Sequence, residues 1–197
     1  MAFLNYFIGG RRMNLPGVYK TFIDRWTKYQ TVWVISDTHF GEKDLREAFP
    51  NRPTDEELVK KINKCVGKND ILIHLGDVGN LNWAAKLRGY KVLIMGNHDS
   101  GAEKYREVFD EVYEGPVVLG ERLILSHEPL SVQWAYNIHG HDHNARQTWC
   151  MKYNVCCDVN SYTPLHLQKF LKKGPLKDIK SIHRQAIEAA SKRKKMR

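Results

Sequence analysis

Five short polar clusters, rich in Asp, His and Asn, each follow an apolar segment of the chain. In chain order they are Asp37-Thr38-His39, Gly76-Asp77, Gly96-Asn97-His98-Asp99, Ser126-His127 and Gly140-His141-Asp142-His143. The tetrapeptide taken alone is typical of a polar turn after a strand, and any one cluster is a common chance match. Five such clusters in succession are an improbable chance match. Their carboxylates, imidazoles and amide suit divalent metals and phosphate.

A pair of divalent metals gives a chemical reason for these residue types. Phosphate esters resist hydrolysis because the attacking oxygen must approach an anion. Two metals about 3.5–4 Å apart clamp the phosphate oxygens and lower the pKa of a bridging water. Such a site needs neutral imidazoles, hard carboxylates and one carboxylate that reaches both ions. D-x-H and H-x-H place two ligands on the same side of an extended chain.

The first part of the chain is predicted to alternate strand and helix. Buried strands are expected where apolar and β-branched residues concentrate, at 31–36, 71–75 and 91–95. Helices are expected after a capping box of Thr54 and Glu57, ending at about Cys65, and over 81–87 and 102–109. Gly96 is expected to allow a sharp turn. The alternation predicts a parallel βαβ sheet, at whose carboxyl edge ligands bind.

The second part has short apolar segments with little helix between them. They predict a second sheet, mixed or antiparallel, with strands at 117–119, 123–126, 136–139, 148–151 and 155–159. A short helix after Pro164 and a basic helix from about Lys177 follow. Helical spacing of apolar residues predicts an amphipathic helix over 17–29. The expected division is an N-terminal extension (1–30), a catalytic-type domain (31–170) and a basic C-terminal helix and tail (171–197).

Composition limits the classes of function. The chain of 197 residues carries a net charge of +9, and this surplus lies entirely from Lys169 onward, where eleven residues are basic and two are acidic. The neutral remainder is not a basic nucleic-acid platform. No apolar run reaches the roughly 18 residues of a membrane span. Arg11-Arg12 follow the short apolar start, the wrong order for a secretory signal, and the four cysteines form no CxxC pair, so a cytoplasmic protein with reduced thiols is expected.

The five clusters resemble the motifs of the calcineurin-like metallophosphoesterase superfamily, in particular its compact single-domain bacterial and phage-type members. The motifs lie within residues 31–143, and a similarity in the general sequence pattern extends to about Phe170. One departure is Ser126, which stands where the family usually has Gly; it adjoins a ligand and does not replace one. The resemblance implies a four-layer α/β/β/α sandwich of two mixed sheets flanked by helices.

The resemblance also implies a ligand set for two divalent transition metal ions. The expected ligands are Asp37, His39 and His143 for the first metal, Asp77 as the bridge, and Asn97, His127 and His141 for the second. Such a set accepts Mn, Fe, Zn, Co or Ni, and Mn is favoured here. His74, His139 and Asp158 are interpreted as structural residues.

Four residues are expected to act on the substrate or beside it. By the resemblance, His98 faces the scissile phosphate and stabilises the transition state or protonates the leaving oxygen, and Asp99 orients His98 through a hydrogen bond. Asn97 adjoins the same phosphate. Arg52 lies in a loop after the first motif, where an arginine is usually solvated, but near two metals its guanidinium could fork onto a phosphate.

These observations predict a binuclear-metal phosphoesterase that hydrolyses esters by metal-bound hydroxide. A phosphodiesterase of broad specificity for small esters or nucleotides is favoured, because short insertions between the motifs leave the site open. The alternatives are a phosphomonoesterase or nucleotide phosphatase, and a nuclease whose basic tail contacts a polyanion. A non-enzymatic binding module ranks last, because that class typically loses ligands and every ligand position here is filled.

Overall fold

Two mixed β-sheets with flanking helices form the centre of the structure, a computed structural model. It describes residues 7–8, 11–12, 30–119, 122–144, 151–177, 179–180 and 182–195. The helix predicted over 17–29 and the strand residues 148–150 lie outside these ranges. The predicted α/β class, with two mixed sheets between helices, is confirmed.

Eleven strands are present among the described residues. They are β1 (Phe7–Ile8), β2 (Arg11–Arg12), β3 (Val32–Ile35), β4 (Ile71–His74), β5 (Tyr90–Ile94), β6 (Glu111–Tyr113), β7 (Val117–Leu119), β8 (Leu123–Leu125), β9 (Tyr136–His139), β10 (Lys152–Asn154) and β11 (Leu165–His166). β1 and β2 pair with each other, antiparallel. The sequence did not indicate β6 or β11, which lie at the two edges of one sheet.

The first large sheet has the order β11-β3-β4-β5-β6. Strands β3 to β6 run parallel to one another, and β11 pairs with β3 in the antiparallel direction. β3 and β4 are buried on both faces along nearly their whole length, as their continuous apolar sequences predict. The carboxyl ends of β3, β4 and β5 therefore meet at one edge, and the first three polar clusters follow them.

The second large sheet has the order β10-β9-β8-β7. β7 pairs with β8 antiparallel, and β8, β9 and β10 run parallel, so the sheet is mixed. The strand predicted over 155–159 is wrong: Cys156 makes an isolated bridge to Ser36, and Cys157–Val159 forms a 3₁₀ turn. The side-chain amide of Asn160 donates to the carbonyls of Asn154 and Cys156 and bends the chain away from extended structure.

Six helices are present in the described residues: α1 (Lys43–Ala48), α2 (Asp55–Cys65), α3 (Leu81–Ala84), α4 (Ala102–Tyr105), α5 (Leu167–Lys172) and α6 (Ile182–Lys195). The capping box before α2 is present, with the Thr54 hydroxyl accepting from the amide of Glu57 and the Glu57 carboxylate accepting from that of Thr54. α1 was not predicted, because four of its six residues are charged and the helix has no apolar stripe. α3 and α4 are a single turn each, shorter than predicted.

The core has two parts, one on each face of the first sheet. Val34, Ile73 and Val92 face the second sheet, where they pack with residues such as Leu125 and Ile138. The alternate residues of the same strands pack against α2 and α3; they include Ile35, Leu72 and Leu93. This period-2 division of one sheet between two apolar layers is the packing that sets its register.

The segment after α5 remains in contact with the body. A guanidinium nitrogen of Arg122 donates to the carbonyls of Leu176 and Ile179, and the Ile179 side chain is buried. The division at residue 170 stays a prediction. Within the described ranges, no helix is both long and apolar enough to cross a bilayer.

Candidate active site

The structure brings all seven predicted metal ligands to one end of the two sheets. They come from the loops after β3, β4, β5, β8 and β9. Their imidazole, carboxylate and amide atoms form two groups that share Asp77.

The first group contains Asp37, His39 and His143. The Nε2 atom of His143 lies 3.6 Å from Oδ1 of Asp37, and Nε2 of His39 lies 4.0 Å from the same oxygen. Nε2 of His39 is also 3.5 Å from Oδ2 of Asp77. These distances are too long for hydrogen bonds but short enough for the atoms to surround one cation.

The second group contains Asn97, His127 and His141. Oδ1 of Asn97 lies 2.8 Å from Nε2 of His127 and 3.1 Å from Nδ1 of His141, and the two imidazole nitrogens are 3.1 Å apart. Nε2 of His127 is 3.3 Å from Oδ2 of Asp77. The same Asp77 oxygen therefore faces both groups, as a bridging carboxylate must.

The buried Nε2 atom of His39 has no hydrogen-bond partner among the described residues. A buried imidazole nitrogen without a partner is unfavourable, and its neighbours are two carboxylates, not donors. One ligand atom each from Asp37, His39 and Asp77 lies within 4.8 Å of the others. Nitrogen and carboxylate donors around an otherwise unsatisfied atom fit a divalent transition metal.

The backbone is left-handed at four of the seven candidate ligands. The φ angles are +59° at Asp37, +40° at His39, +56° at Asp77 and +70° at His141. A non-glycine residue in this region is disfavoured by about 1–2 kcal/mol, so these positions hold local strain. Such strain concentrates at functional sites, where it aims side chains that a relaxed strand would send elsewhere.

Gly76 and Gly96 let the loops after β4 and β5 touch. A Cβ on Gly76, whose φ is +90°, would lie 2.3 Å from the amide nitrogen of Gly96. A Cβ on Gly96 would lie 2.3 Å from Oδ1 of Asp77. The turn expected at Gly96 is present, since the amide of Asp99 donates to the carbonyl of Gly96 at 3.2 Å. Its φ is not left-handed, however, and its missing side chain makes room for the carboxylate of Asp77.

Asp77 is ionised in this environment. Burial alone would raise the pKa of its carboxyl, but the hydrogen bond and charge of His127, together with the amide of His98, lower that pKa to about 2. Burial would lower the pKa of His127, and the same hydrogen bond with Asp77 reverses the effect and raises it. The carboxylate is therefore available as a ligand through the neutral pH range.

Asp99 has a different role from the predicted one. Its carboxylate accepts from the amides of Asp77 at 2.8 Å, Val78 at 3.1 Å and Gly96 at 2.9 Å. It also accepts from the Tyr105 hydroxyl at 2.9 Å. These four hydrogen bonds occupy both carboxylate oxygens. Asp99 links the loop after β4 to the one after β5 and fixes the backbone of Asp77.

His98 lies beside the first group and is exposed. Its amide donates to Oδ1 of Asp77 at 2.9 Å, which leaves Oδ2 facing the two groups. Its ring meets the ring of His39 edge to face, with centroids 5.4 Å apart. The imidazole is thus held at the open side of the site, while its backbone supports the shared carboxylate.

Arg52 does not lie in an open loop, as the sequence suggested. It is buried, and its Nη1 atom donates to both carboxylate oxygens of Asp158, at 2.6 and 2.5 Å. Its Nη2 atom donates to the carbonyls of Asp37 and Thr38, at 3.0 and 2.5 Å. The expected fork onto a phosphate is replaced by a fork onto Asp158, which arrives from the 3₁₀ turn after β10.

Two carboxylates lie beside the candidate ligands; the sequence interpretation gave no role to Glu42 and treated Asp158 only as structural. Oδ2 of Asp158 lies 2.7 Å from Nδ1 of His143, and a carboxylate oxygen of Glu42 lies 2.9 Å from Nδ1 of His39. A carboxylate on the second nitrogen fixes the orientation of a metal-binding histidine. The available signals were weak: Glu42 is three residues after His39, and Asp158 is a lone acid in an apolar segment.

His74 and His139 are buried outside the two groups. Nε2 of His74 pairs with the Thr38 hydroxyl at 2.9 Å, and burial lowers the pKa of His74 to about 4. Nδ1 of His139 pairs with the carbonyl of Gly140 at 2.8 Å. Both imidazoles hold the loops that carry candidate ligands.

Comparisons with known proteins identify the family. The model of the calcineurin-like phosphoesterases matches residues 30–185. An uncharacterized protein of Methanocaldococcus jannaschii is 30% identical over 175 residues, covering 73% of this chain and 92% of that protein. The Gene 66 protein of Mycobacterium phage D29 is 34% identical over 89 residues, covering 39% of this chain and 44% of the phage protein.

Among solved structures, a protein of unknown function from Aquifex aeolicus superposes with a TM-score of 0.63 at 26% identity, covering 73% of this chain and 99% of that one. The family match extends over most of the chain and includes all five polar clusters. The predicted resemblance is therefore confirmed, and the chain belongs to the calcineurin-like phosphoesterases, metal-dependent hydrolases of phosphate esters.

Proposed function

We propose that the protein is a phosphodiesterase of broad specificity for small esters, which works with two divalent transition metal ions, Mn being favoured. The observation that carries this proposal is the position of Asp77, whose Oδ2 atom lies 3.5 Å from His39 and 3.3 Å from His127. One shared carboxylate between two nitrogen-rich groups supports two ions better than one.

Each group would hold one ion. Asp37, His39 and His143 would hold the first, Asn97, His127 and His141 the second, and Asp77 both. When bound, the pair supplies Lewis-acid activation of the phosphate and of the attacking water. The left-handed backbone and the Asp99 anchor keep these side chains in place before substrate arrives.

His98 would act on the phosphate from the open side. Its imidazole is exposed, and the amide bond to Asp77 fixes the loop that carries it. From there it can donate a proton to the leaving oxygen or hydrogen-bond a phosphoryl oxygen as charge develops. Asn97 and His141 are also exposed, which leaves room for esters of different shapes.

The hydrogen bonds that Arg52 makes within the protein favour diesters over monoesters as substrates. A monoester is a dianion near neutral pH, and enzymes that bind one commonly add a guanidinium to the metals. Here the guanidinium next to the first motif is used by Asp158 and two carbonyls. A diester carries one negative charge and depends less on such a group.

A nuclease is the second candidate, because α6 carries exposed basic residues that include Lys192, Arg193 and Lys194. Removal of residues 182–197 would test it. The nuclease hypothesis expects weaker binding of single-stranded DNA, with a smaller dependence on salt, while turnover of a small ester stays unchanged. Unchanged DNA binding after the deletion would remove the reason for this candidate.

The test of the main proposal is a substrate screen of the chelator-treated protein, resupplied with Mn, Fe, Zn, Co or Ni. Bis(p-nitrophenyl) phosphate should be hydrolysed faster than p-nitrophenyl phosphate at equal concentration, with two metals bound per chain by elemental analysis. Asp77→Asn serves as the inactive control. Faster turnover of the monoester, or saturation at one ion, would contradict the proposal.

A further inference from the structure

A cavity of about 250 Å³ opens beside the second metal group. Asn97 and His127, two candidate ligands, form one wall of it. The remaining wall is built from the loop after β6 and the loop after His127. A phosphate held by the two ions would therefore have one of its ester groups at the mouth of this cavity.

The lining combines apolar surface with two carboxylates. Met95, Pro116 and Leu130 supply the apolar part, and Glu114 and Glu128 supply the charges. Both glutamates are exposed, and within the described part of the chain neither carboxylate has an ion-pair or hydrogen-bond partner. Two unpaired anions on an apolar surface attract a cation with hydrocarbon around it.

We infer that this cavity is a subsite for the organic group of the ester and that it selects a small group bearing a cationic amine. The inference rests on the proposed phosphodiesterase function and names its substrate class. Since a water molecule occupies about 30 Å³ of the liquid, the cavity of about 250 Å³ has the volume of about eight waters. An amino alcohol of the size of choline, with seven non-hydrogen atoms, fits this volume.

The same lining disfavours a polyanion. A nucleic-acid strand that entered the cavity would bring its next phosphate close to Glu114 and Glu128. Like charges brought together in this way repel, and the neutral body of the protein offers no excess of basic residues to compensate. The subsite therefore favours an ester with one phosphate and one positive charge.

Two matched diesters test the subsite. p-Nitrophenyl phosphocholine and p-nitrophenyl 3,3-dimethylbutyl phosphate release the same nitrophenolate, and their other groups differ in charge but hardly in shape. For the Mn-loaded full chain at low salt, kcat/KM should be about five- to tenfold higher for the choline ester. This ratio should fall toward one as salt rises, because exposed charges are screened.

Variants assign the ratio to the two glutamates. Glu114→Gln and Glu128→Gln should each lower the ratio, and the double variant should bring it close to one. Since the ratio compares two substrates on one protein, a loss of folded enzyme cancels. Glu56→Gln is the control: Glu56 lies on α2, pairs with Lys60, and does not line the cavity. It should leave the ratio of the native protein unchanged.

A native ratio of one, or a high ratio that survives the double variant, would overturn the subsite. If no diester is hydrolysed at all, the proposed function fails, and binding then tests the cavity separately. Calorimetry with the Mn-loaded protein should show tighter binding of phosphocholine than of 3,3-dimethylbutyl phosphate, and Glu114→Gln should remove the difference. Equal affinities in the native protein would overturn the inference without reference to turnover.

Discussion

The two groups of candidate metal ligands differ in burial and in the residues that contact their side chains from behind. In the first group, Asp37 is 0% exposed and His39 is 4% exposed, and Glu42 and Asp158 back its histidines. In the second group, Asn97 and His141 are exposed. His127 alone is buried there, and its Nδ1 atom lies 2.8 Å from a neutral partner, the carbonyl of Leu75.

This difference would let one site combine a tightly held ion with an exchangeable one. A carboxylate behind a histidine raises its basicity and fixes its orientation, and an outer partner of this kind typically changes metal affinity about 10–100-fold. We therefore expect the first group to bind its ion more tightly than the second. We propose that substrate would meet the ions at the open second group, next to the cavity.

Asp77→Ala should have the largest effect, because it removes the ligand that the two groups share. Both ions should be lost on dialysis, and turnover should fall more than about 100-fold, beyond the effect of an outer partner. Elemental analysis and single-substrate kinetics measure the two effects. Asp44→Ala, in the exposed helix α1, is the control. Retention of one ion at full occupancy would mean that Asp77 is not shared.

His98→Ala should reduce turnover while both ions remain bound. A general acid contributes about 10²–10⁴-fold, and an alkyl ester should lose more than a nitrophenyl ester, because the alkoxide needs the proton and nitrophenolate hardly does. An equal loss on both esters would argue that His98 stabilises phosphate charge instead. Loss of an ion would place His98 among the ligands and alter the comparison of the two groups.

His39→Ala and Asn97→Ala should have opposite patterns. The first should abolish the tight binding step and leave the weak one, whereas the second should weaken only the weak step. Calorimetric titration of the chelator-treated protein with Mn resolves the two steps. An equal effect of either variant on both metal-binding steps would contradict the expected difference between the two groups.

Asp158→Asn should have a smaller effect, confined to the first group. Affinity for the first ion should fall about 10–100-fold, with the second unchanged. The variant also leaves the buried Arg52 guanidinium without its anion, so the free energy of unfolding should fall by about 3 kcal/mol. The double variant Arg52→Gln/Asp158→Asn separates the effects. Stability should recover in it, and first-ion affinity should stay low.

The meeting of the seven candidate ligands could be anticipated from sequence because each motif is local. Spacings such as D-x-H, at the ends of apolar strands, indicate side chains that meet at one sheet edge whatever the details of the fold. The pairing of Arg52 with Asp158 could not be anticipated, since the two residues are 106 positions apart and only the folded chain brings them together. The contacts of Asp99 could not be anticipated for the same reason. The amides after β4 that donate to its carboxylate are near it only in the folded chain.

Secondary structure could be predicted where the burial and the periodicity of the apolar residues indicate the same element. It could not be predicted where tertiary contacts decide the conformation. β3, β4 and β5 are short segments rich in apolar and β-branched residues and are followed by polar or glycine-containing turns, which favours strands over helices. The segment 155–159 has a similar sequence, but Asn160 and the carbonyl of Ser36 bind its backbone and turn it. β11 has two residues and forms because β3 offers it an edge, a condition that sequence does not display.

The left-handed ligand positions have a consequence for the history and engineering of this chain. At His141, where φ is +70°, glycine would relax the backbone and remove an exposed imidazole whose contacts are with Asn97 and His127, two other candidate ligands. A laboratory selection for heat resistance alone should therefore accumulate glycine at this residue and gradually lose catalytic activity. Selection for turnover must continually oppose that drift, so sequence variation at residue 141 would record whether a lineage still uses its enzyme.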